Sequence, residues 1–488
     1  MTAVTDEADT LAPVSRRTER PKRRRLMRDM FITKGKQISS NIASATAFGD
    51  PAPSLLARFN RFALQTSFRY LDVVIDSHRR LSMTETGTPP TRLHALDAVR
   101  GGALLLGVAF HASLSFVPGP QFWVVRDAAD PLIGNFTIVA HMFRMTLFFL
   151  IAGFFGRMLL ERRGTGGFVA DRAKRIVGPL FAFWPLALAG IIATFVWGAA
   201  VMNGGALPTN QPAPPPPTLA TLPLTHLWFL YLLTLFYLAA LALRGVARLV
   251  DRDGRVAARV ADPLVAGAIR TGAITVLLAV PATLLLAGTP GWMPVMGIPT
   301  PDIGLIPNAA ASAAYGTAFL AGWLLQRQPE LLSRVAARWP LHLIGAVLLT
   351  GGLLLHIAGV SPFTLAAGPA APVLLAAAYM IASWCWTLGL LGAALCFLDA
   401  ERPWIRYVAD SSYWIYLVHL PVVMALQVLV YPVAAPALVK FAMVIAGASL
   451  ILFASYHLLV RRSFLGRWLN GRAYPRAARS QSMEVQTA

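Results

Sequence analysis

The stretch RLHALDAVRGGALLLGVAFHASLSF, Arg92–Phe116, decides how the rest of the chain is interpreted. It is the first long apolar run, with Asp97 and Arg100 near its start and His111 deep inside it. In a helix, the eleven positions between Arg100 and His111 make about three turns, so both side chains point from nearly the same face. Their separation along the axis is roughly 16 Å, which places His111 near mid-depth if Arg100 lies at a membrane surface. Ionisable residues at that depth are usually functional, so this helix is predicted to form one wall of a reaction site within a membrane.

Composition indicates a polytopic membrane protein. Hydrophobic residues make up 56% of the 488 residues and charged residues only 14%, whereas about a quarter of the residues in soluble proteins are charged. Apolar runs long enough to cross a bilayer recur along the chain. We therefore predict an all-α fold, a membrane helix bundle with about ten transmembrane helices. The predicted spans lie near residues 96–117, 132–159, 176–201, 225–243, 263–287, 305–326, 340–360, 371–398, 411–431 and 437–459.

Positive charge is distributed unevenly among the connections between these spans. The connections around residues 160–175, 244–259, 327–338 and 402–406 carry clustered arginine or lysine, whereas the others carry almost none. This bias predicts that both termini are cytoplasmic. Because the net charge of +20 lies in the tails and at helix ends, membrane lipid is a predicted partner and nucleic acid is not.

The chain divides into a membrane domain and two polar ends. Residues 1–90 are predicted to form a basic cytoplasmic tail, partly disordered, and residues 461–488 a cytoplasmic C-terminal tail. In residues 53–80, leucine and phenylalanine alternate with arginine, a pattern that fits an interfacial amphipathic helix, with a poorly ordered linker as the alternative. Residues 91–460 hold the spans. No cleavable signal peptide is recognised, so the first span is predicted to act as an uncleaved insertion signal.

Polar residues inside the first two spans mark a candidate site. His111 suits a general base, because an imidazole can accept a hydroxyl proton near neutral pH; the alternative is a histidine hydrogen-bonded within the bundle. Arg100 is either a topology anchor or an anion contact, and Asp97, one turn earlier, is predicted to orient it. His141 and Arg144 lie inside the second span, where a guanidinium must face a polar cavity or a partner.

Later spans add further candidates. Arg172, Lys174 and Arg175 cluster just before the third span, either as ordinary positive-inside charge or as a phosphate clamp.

The fourth span opens with His226 and Trp228, of which Trp228 is alternatively an aromatic-belt residue. His419 lies in the ninth span, and Pro421 after it is expected to bend the helix. The chain has no HExxH, glycine-rich phosphate loop, GxSxG or cysteine–histidine metal pattern, so no metal and no bound cofactor are predicted.

Five motifs occur in one order along the spans. They are the arginine and histidine eleven positions apart, LFFLIAG at 147–153, RAKRIVGP at 172–179, HLWFL at 226–230 and SYWIYLVHLP at 412–421. Together they resemble the acyltransferase 3 family, and the last two are similar to its glucan biosynthesis protein C branch, the membrane succinyltransferases of periplasmic glucans. The resemblance covers about residues 91–460. Asp171 departs from the pattern, since many members place a second arginine there.

The resemblance implies a multi-pass O-acyltransferase of the cell (inner or plasma) membrane. It would transfer an acetyl or succinyl group from cytoplasmic acyl-CoA, its donor substrate, to a hydroxyl of an extracytoplasmic glycan acceptor. The basic cluster would bind the phosphates of CoA, His111 with His419 would deprotonate the acceptor, and Arg100 or Arg144 would stabilise the oxyanion or a succinyl carboxylate.

Two other classes remain as alternatives. A transporter or flippase for a glycan or lipid-linked substrate would also need a polar cavity within the membrane. A non-catalytic scaffold is disfavoured, because it gains nothing from the desolvation cost of buried histidine and arginine. The oligomeric state is not predicted.

Overall fold

The computed structural model describes residues 94–119, 123–207, 216, 218–360 and 368–471. Within these ranges the chain forms thirteen α-helices, and an isolated antiparallel bridge joins Pro223 to Ile303. The predicted all-α bundle is therefore confirmed for this part of the chain. The predicted tail 1–90, its helix at 53–80 and residues 472–488 lie outside the described residues.

The helices are numbered here in chain order. They are α1 His94–Ser113, α2 Pro131–Arg172, α3 Gly178–Met202, α4 Trp228–Val250, α5 Asp262–Thr271, α6 Ile274–Ala287, α7 Ala309–Leu325, α8 Leu332–Ala337, α9 Trp339–Ile357, α10 Ala371–Phe397, α11 Pro403–Val430, α12 Ala437–Ser455 and α13 Phe464–Asn470. A 3-10 turn extends α1 to Phe116, and π-helical segments at 173–177 and 456–460 follow α2 and α12.

Two local features determine the course of α2. Asp130 caps its start, because its carboxylate accepts hydrogen bonds from the backbone N–H groups of Leu132 and Ile133. The helix is broken at Gly164, where φ is 66° and ψ is 178°, a conformation that glycine adopts readily. After this break, the π-helical segment leads into α3 without a loop.

Seven helical segments among the described residues are long and apolar enough to cross a membrane, or eight if the bent pair formed by α5 and α6 counts as one span. Two predicted spans merge into the continuous segment Pro131–Met202. The predicted span 263–287 is a bent pair, because the chain turns by 103° between α5 and α6. The predicted span 305–326 is a shorter apolar helix, α7. The chain thus has several membrane-crossing helices, but neither the count of about ten nor the cytoplasmic side of the termini is confirmed.

Small residues allow α2 and α7 to cross at close range. A methyl group added at Gly153 would overlap the carbonyl oxygen of Phe319, and one at Gly322 would overlap that of Leu150. Gly153 is the glycine of the LFFLIAG motif, so this motif position serves helix packing. The largest apolar core surrounds this crossing and is built mainly from α2, α4, α6, α7 and α10. A second apolar cluster joins α1 to α11 and α12.

Candidate active site

A cavity of about 1520 Å³ runs along α1. Asp97 and Leu114 both line it; their seventeen-residue separation corresponds to about 26 Å of helix, close to the ~30 Å hydrocarbon thickness of a bilayer. We call its two ends the basic end, near Asp97, and the Trp123 end, near Leu114. His111 is only three residues from Leu114, so it lies nearer the Trp123 end than the predicted mid-depth.

Four predicted histidines meet in this cavity. The ring centroid of His419 lies 5.2 Å from that of His111 and 5.0 Å from that of His226. His141 stacks on the ring of Phe110 at 5.2 Å, and Phe110 contacts His111 edge-on at 5.1 Å. The cluster thus combines residues of α1, α2, α11 and the turn before α4. Among the described residues, no group of three or more His, Cys, Asp or Glu is arranged to hold a metal ion.

Backbone carbonyls of α11 hold two of these rings. Nδ1 of His419 lies 2.8 Å from the carbonyl oxygen of Tyr416, and Nε2 of His226 lies 3.3 Å from that of Leu417. Because a carbonyl oxygen only accepts hydrogen bonds, each of these nitrogens must carry the proton that it donates. In the neutral rings, Nε2 of His419 and Nδ1 of His226 are therefore left with lone pairs. Nδ1 of His111 is buried without a hydrogen-bond partner in the described part of the chain.

The turn before α4 is strained. Thr225 has φ of 55°, a left-handed conformation that is unfavourable for a β-branched residue. It lines the cavity and immediately precedes His226. Strain of this kind persists only where the surrounding structure enforces it, so this turn fixes the direction from which His226 enters the cavity.

Arg144 lies beside the histidines without a counter-ion. Its guanidinium carbon is 4.1 Å from the ring centroid of Phe110, and the residue is only 7% exposed. No carboxylate of the described residues lies within ion-pair distance of it, and one of its terminal nitrogens is buried without a partner. Arg144 also lines the cavity, as predicted for a guanidinium inside a span. This arrangement favours an anionic group of a substrate beside Arg144.

Arg100 is held at the basic end. It forms the predicted i,i+3 ion pair with Asp97 at 3.3 Å and donates to the carbonyl of Ala409 at 3.2 Å. It lies about 16 Å along α1 from His111. The geometry therefore places Arg144, and not Arg100, where charge beside His111 can be stabilised.

Asp171, the residue that departs from the motif, organises the basic end. Its buried carboxylate pairs with Arg172 at 2.8 Å, Arg163 at 2.9 Å and Arg175 at 3.3 Å. Arg163, Arg172 and Arg175 all line the cavity. One carboxylate thus orients three guanidinium groups and leaves an excess of positive charge at this mouth.

Lys174 does not join this cluster. It is exposed and does not line the cavity, because residues three apart on a helix share a face whereas the residue between them points away. Arg172, in addition to its ion pair with Asp171, donates a hydrogen bond to the hydroxyl of Tyr237 at 3.3 Å. Of the predicted trio, the structure therefore brings Arg172 and Arg175 together in the cavity and leaves Lys174 outside it.

Trp228 is not an aromatic-belt residue. It is 7% exposed and stacks on Tyr315 with ring centroids 5.6 Å apart. It lines the cavity and belongs to the same core as the α2–α7 crossing.

Sequence reasoning missed a hydrogen-bonded unit at the Trp123 end. The Trp123 ring lies nearly parallel to His111 at 6.1 Å, and its Nε1 donates to Oε1 of Gln427 at 2.9 Å. The Gln427 amide nitrogen donates to the carbonyls of His111 and Ala112, both at 3.0 Å. Gln427 could have been found in the sequence, because an amide side chain stands out inside the apolar ninth span. Trp123 lies in a connection between spans, where a tryptophan gives no such signal.

The segment that carries Trp123 is fixed at a second point. Lys440 of α12 forms a buried ion pair with Asp127 at 2.9 Å and donates to the carbonyl of Tyr431 at 2.8 Å. A lysine inside an apolar span is a signal that can be found in sequence, although its partner cannot.

The two ends of the cavity differ in charge. Among the described lining residues, the Trp123 end beyond the histidines and Arg144 has the carboxylate of Asp302 and no further arginine or lysine. Burial raises the pKa of Asp302, so this carboxyl group holds its proton to a higher pH than an exposed aspartate does. The cavity therefore joins a strongly basic end to an aromatic and weakly acidic one.

Comparison with known proteins adds a family to this geometry. A family model described as an acyltransferase domain matches residues 93–460. Glucans biosynthesis protein C of Escherichia coli strain SMS-3-5 is 33% identical over 148 residues, and that of strain K12 is 32% identical over the same length. The aligned region is 30% of this chain and 37% of each relative, so it spans little more than a third of those proteins. No solved structure matches the chain significantly.

Proposed function

This chain belongs to the acyltransferase 3 family, and on that premise we propose that it is a membrane O-acyltransferase acting on a glycan. The donor is an acyl-CoA that enters from the basic end, which faces the cytoplasm. The acceptor is a hydroxyl of a glycan that enters from the Trp123 end, outside the inner or plasma membrane.

The observation that carries the proposal is the continuity of the cavity. Arginines that suit phosphate groups lie at one end, and the four histidines and Arg144 lie further along the same space. Arginine binds phosphate in a bidentate manner, and CoA is rich in phosphate. A thioester on a long flexible arm can thus reach the histidines while its phosphates stay at the basic end.

The chemistry follows from the groups beside His111. The acceptor hydroxyl attacks the thioester carbonyl while the His111 imidazole takes up the hydroxyl proton. Arg144 stabilises the negative charge on the carbonyl oxygen. When the carbon–sulfur bond breaks, the imidazolium returns its proton to the CoA thiolate, so the products are CoA and the acylated glycan. His419, whose ring contacts His111, orients that base.

The acyl group is acetyl or succinyl. A succinyl group carries a free carboxylate, and the unpaired Arg144 offers it a charge partner. The name of the E. coli relatives refers to glucans, which makes a glucan the first acceptor to test.

The test is transfer of label by the full chain purified in detergent. Labelled acetyl-CoA or succinyl-CoA is incubated with mixed glucans and wild type, His111→Ala or His356→Ala. We expect His111→Ala to lose about 10²-fold or more of the transfer rate, as removal of a general base does. His356 lies on α9 and does not line the cavity, so His356→Ala should retain the wild-type rate. Full transfer by His111→Ala would exclude His111 as the base.

A transporter or flippase is the second candidate, because a cavity that extends across most of the bundle also suits translocation. Such a protein would move the glycan across a vesicle membrane and leave acyl-CoA intact. Glycan movement without release of CoA from wild type would favour it.

A further inference from the structure

The helix α13 lies beyond residue 460, where the family domain ends. Leu469, Asn470 and Gly471, at its C-terminal end, nevertheless line the cavity at the basic end. We propose that α13 with Gly471 is part of the donor site and holds Arg175 in position for the phosphates of acyl-CoA. This inference rests on the proposed acyl transfer and adds to it a binding element outside the family domain.

Two side-chain hydrogen bonds fasten α13 to the walls of the mouth. Nε1 of Trp468 donates to the carbonyl of Lys174 at 2.8 Å, and Nδ2 of Asn470 donates to the carbonyl of Asp410 at 2.8 Å. The first bond reaches the π-helical segment after α2, and the second reaches α11. The helix therefore joins the two elements between which the basic end opens.

Gly471 packs directly on Arg175. Its φ is 74°, and a methyl group added to it would overlap the Arg175 guanidinium. Glycine thus suits this position both in its backbone conformation and because any side chain would displace the Arg175 guanidinium. On its other sides, Arg175 pairs with Asp171, and its backbone carbonyl accepts a hydrogen bond from Tyr413 at 2.5 Å. The guanidinium therefore lies between Asp171 of α2 and Gly471 at the end of α13, and Tyr413 of α11 holds the backbone that carries it.

The residues around the basic end of the cavity indicate the chemistry of the ligand. Five arginines line its rim: Arg100, Arg162, Arg163, Arg172 and Arg175. A cluster of guanidinium groups selects a compact polyanion, and the phosphorylated end of CoA has that character. Arg175 contributes most to the affinity for this ligand when its guanidinium is ordered before binding, because less side-chain freedom is then lost on binding.

The test compares two glycine variants with the same backbone strain. Gly471→Ala forces a methyl group against Arg175, whereas Gly359→Ala has the same φ of 74° with nothing within 4 Å. We expect Gly471→Ala to raise the KM for acyl-CoA about tenfold, the effect of one lost charge-assisted hydrogen bond, with kcat within about twofold of wild type. Gly359→Ala should match wild type in both constants, and Arg175→Ala should raise KM at least as much as Gly471→Ala.

A tryptophan pair keeps the proposal testable if Gly471→Ala fails to fold. Trp468→Phe removes the hydrogen bond to Lys174 and keeps an aromatic ring, and Trp404→Phe is its control because Trp404 is exposed. A raised KM in Trp468→Phe alone supports the role of α13. An unchanged KM in Gly471→Ala or, if that variant is unfolded, in Trp468→Phe overturns it.

Binding of CoA to the wild type separates this inference from the proposed function. If coenzyme A neither raises the thermal stability of wild type nor is released from acyl-CoA, the proposed transfer fails, and the role of α13 fails with it. If wild type binds CoA and turns over while the α13 variants behave as their controls do, only the α13 inference fails.

Discussion

Replacing Gln427 with leucine removes three hydrogen bonds that tie Trp123 to the end of α1. Gln427 is 2% exposed; it accepts from Trp123 at 2.9 Å and donates to the carbonyls of His111 and Ala112 at 3.0 Å. Leucine has a similar size and no hydrogen-bonding group. The substitution therefore tests the hydrogen bonds with little change in packing.

The expected loss of stability follows from this geometry. Hydrogen bonds that polar side chains make across helices in membrane bundles contribute about 0.6 kcal/mol each on average, and three of them give about 2 kcal/mol. The indole N–H of the half-buried Trp123 is then left without Gln427, which adds up to about 1 kcal/mol for the lost partner of this donor. We expect the free energy of unfolding of Gln427→Leu to fall by about 2–3 kcal/mol.

The expected loss of activity is selective. The Trp123 ring lies against His111, and a small displacement of a catalytic group lowers kcat by about 10- to 100-fold. The KM for acyl-CoA should stay unchanged, since the proposed site of the donor phosphates is the basic end, on the far side of the cavity.

A double-mutant cycle provides the assay. Gln427→Leu, Trp123→Phe and the double variant are compared with wild type in detergent for kcat, for KM and for thermal unfolding. Because both single variants break the same hydrogen bond, their stability effects should fail to add by roughly 0.6 kcal/mol or more. Strict additivity, or a wild-type kcat in Gln427→Leu, would refute the reasoning.

Two further predictions concern packing and charge. Gly153→Ala should lower the free energy of unfolding by about 2 kcal/mol, because its methyl group overlaps the Phe319 carbonyl oxygen; Gly102→Ala, with nothing within 4 Å, should leave it unchanged or raise it by up to about 1 kcal/mol. Lys440→Met should lower it by about 3–5 kcal/mol, since it leaves the buried carboxylate of Asp127 unpaired, and adding Asp127→Asn should restore most of the loss. Thermal unfolding in detergent measures the stability of all four variants. Equal melting temperatures of Gly153→Ala and Gly102→Ala would contradict the packing argument. Equal melting temperatures of Lys440→Met and the double variant with Asp127→Asn would contradict the charge argument.

The parts of the site that lie on apolar helices were predictable from sequence. His111, His141, Arg144 and His419 each stand out because an ionisable residue inside a span carries a high desolvation cost. Their convergence on one cavity was not predictable, because it depends on how α1, α2 and α11 pack.

Other elements depend on contacts that sequence spacing does not encode. Trp123 lies in a connection, and its contact with His111 depends on Gln427, 304 positions later. For Lys174, in contrast, the sequence was sufficient, because helical spacing already places its side chain on a different face from those of Arg172 and Arg175. The merging of two spans into Pro131–Met202 explains why counting apolar runs gives a different number from counting helices.

The short helix α7 has a consequence for how the protein is inserted during synthesis. Its 17 residues extend about 26 Å, less than the ~30 Å hydrocarbon core, and alanine and glycine make up much of its sequence, AAASAAYGTAFLAGWLL. Such a segment partitions weakly into lipid by itself. Gly153 and Gly322 let it lie close against α2. We therefore expect integration of α7 to require the prior presence of α2, so that this helix enters the membrane by assembly with a neighbour rather than by independent insertion.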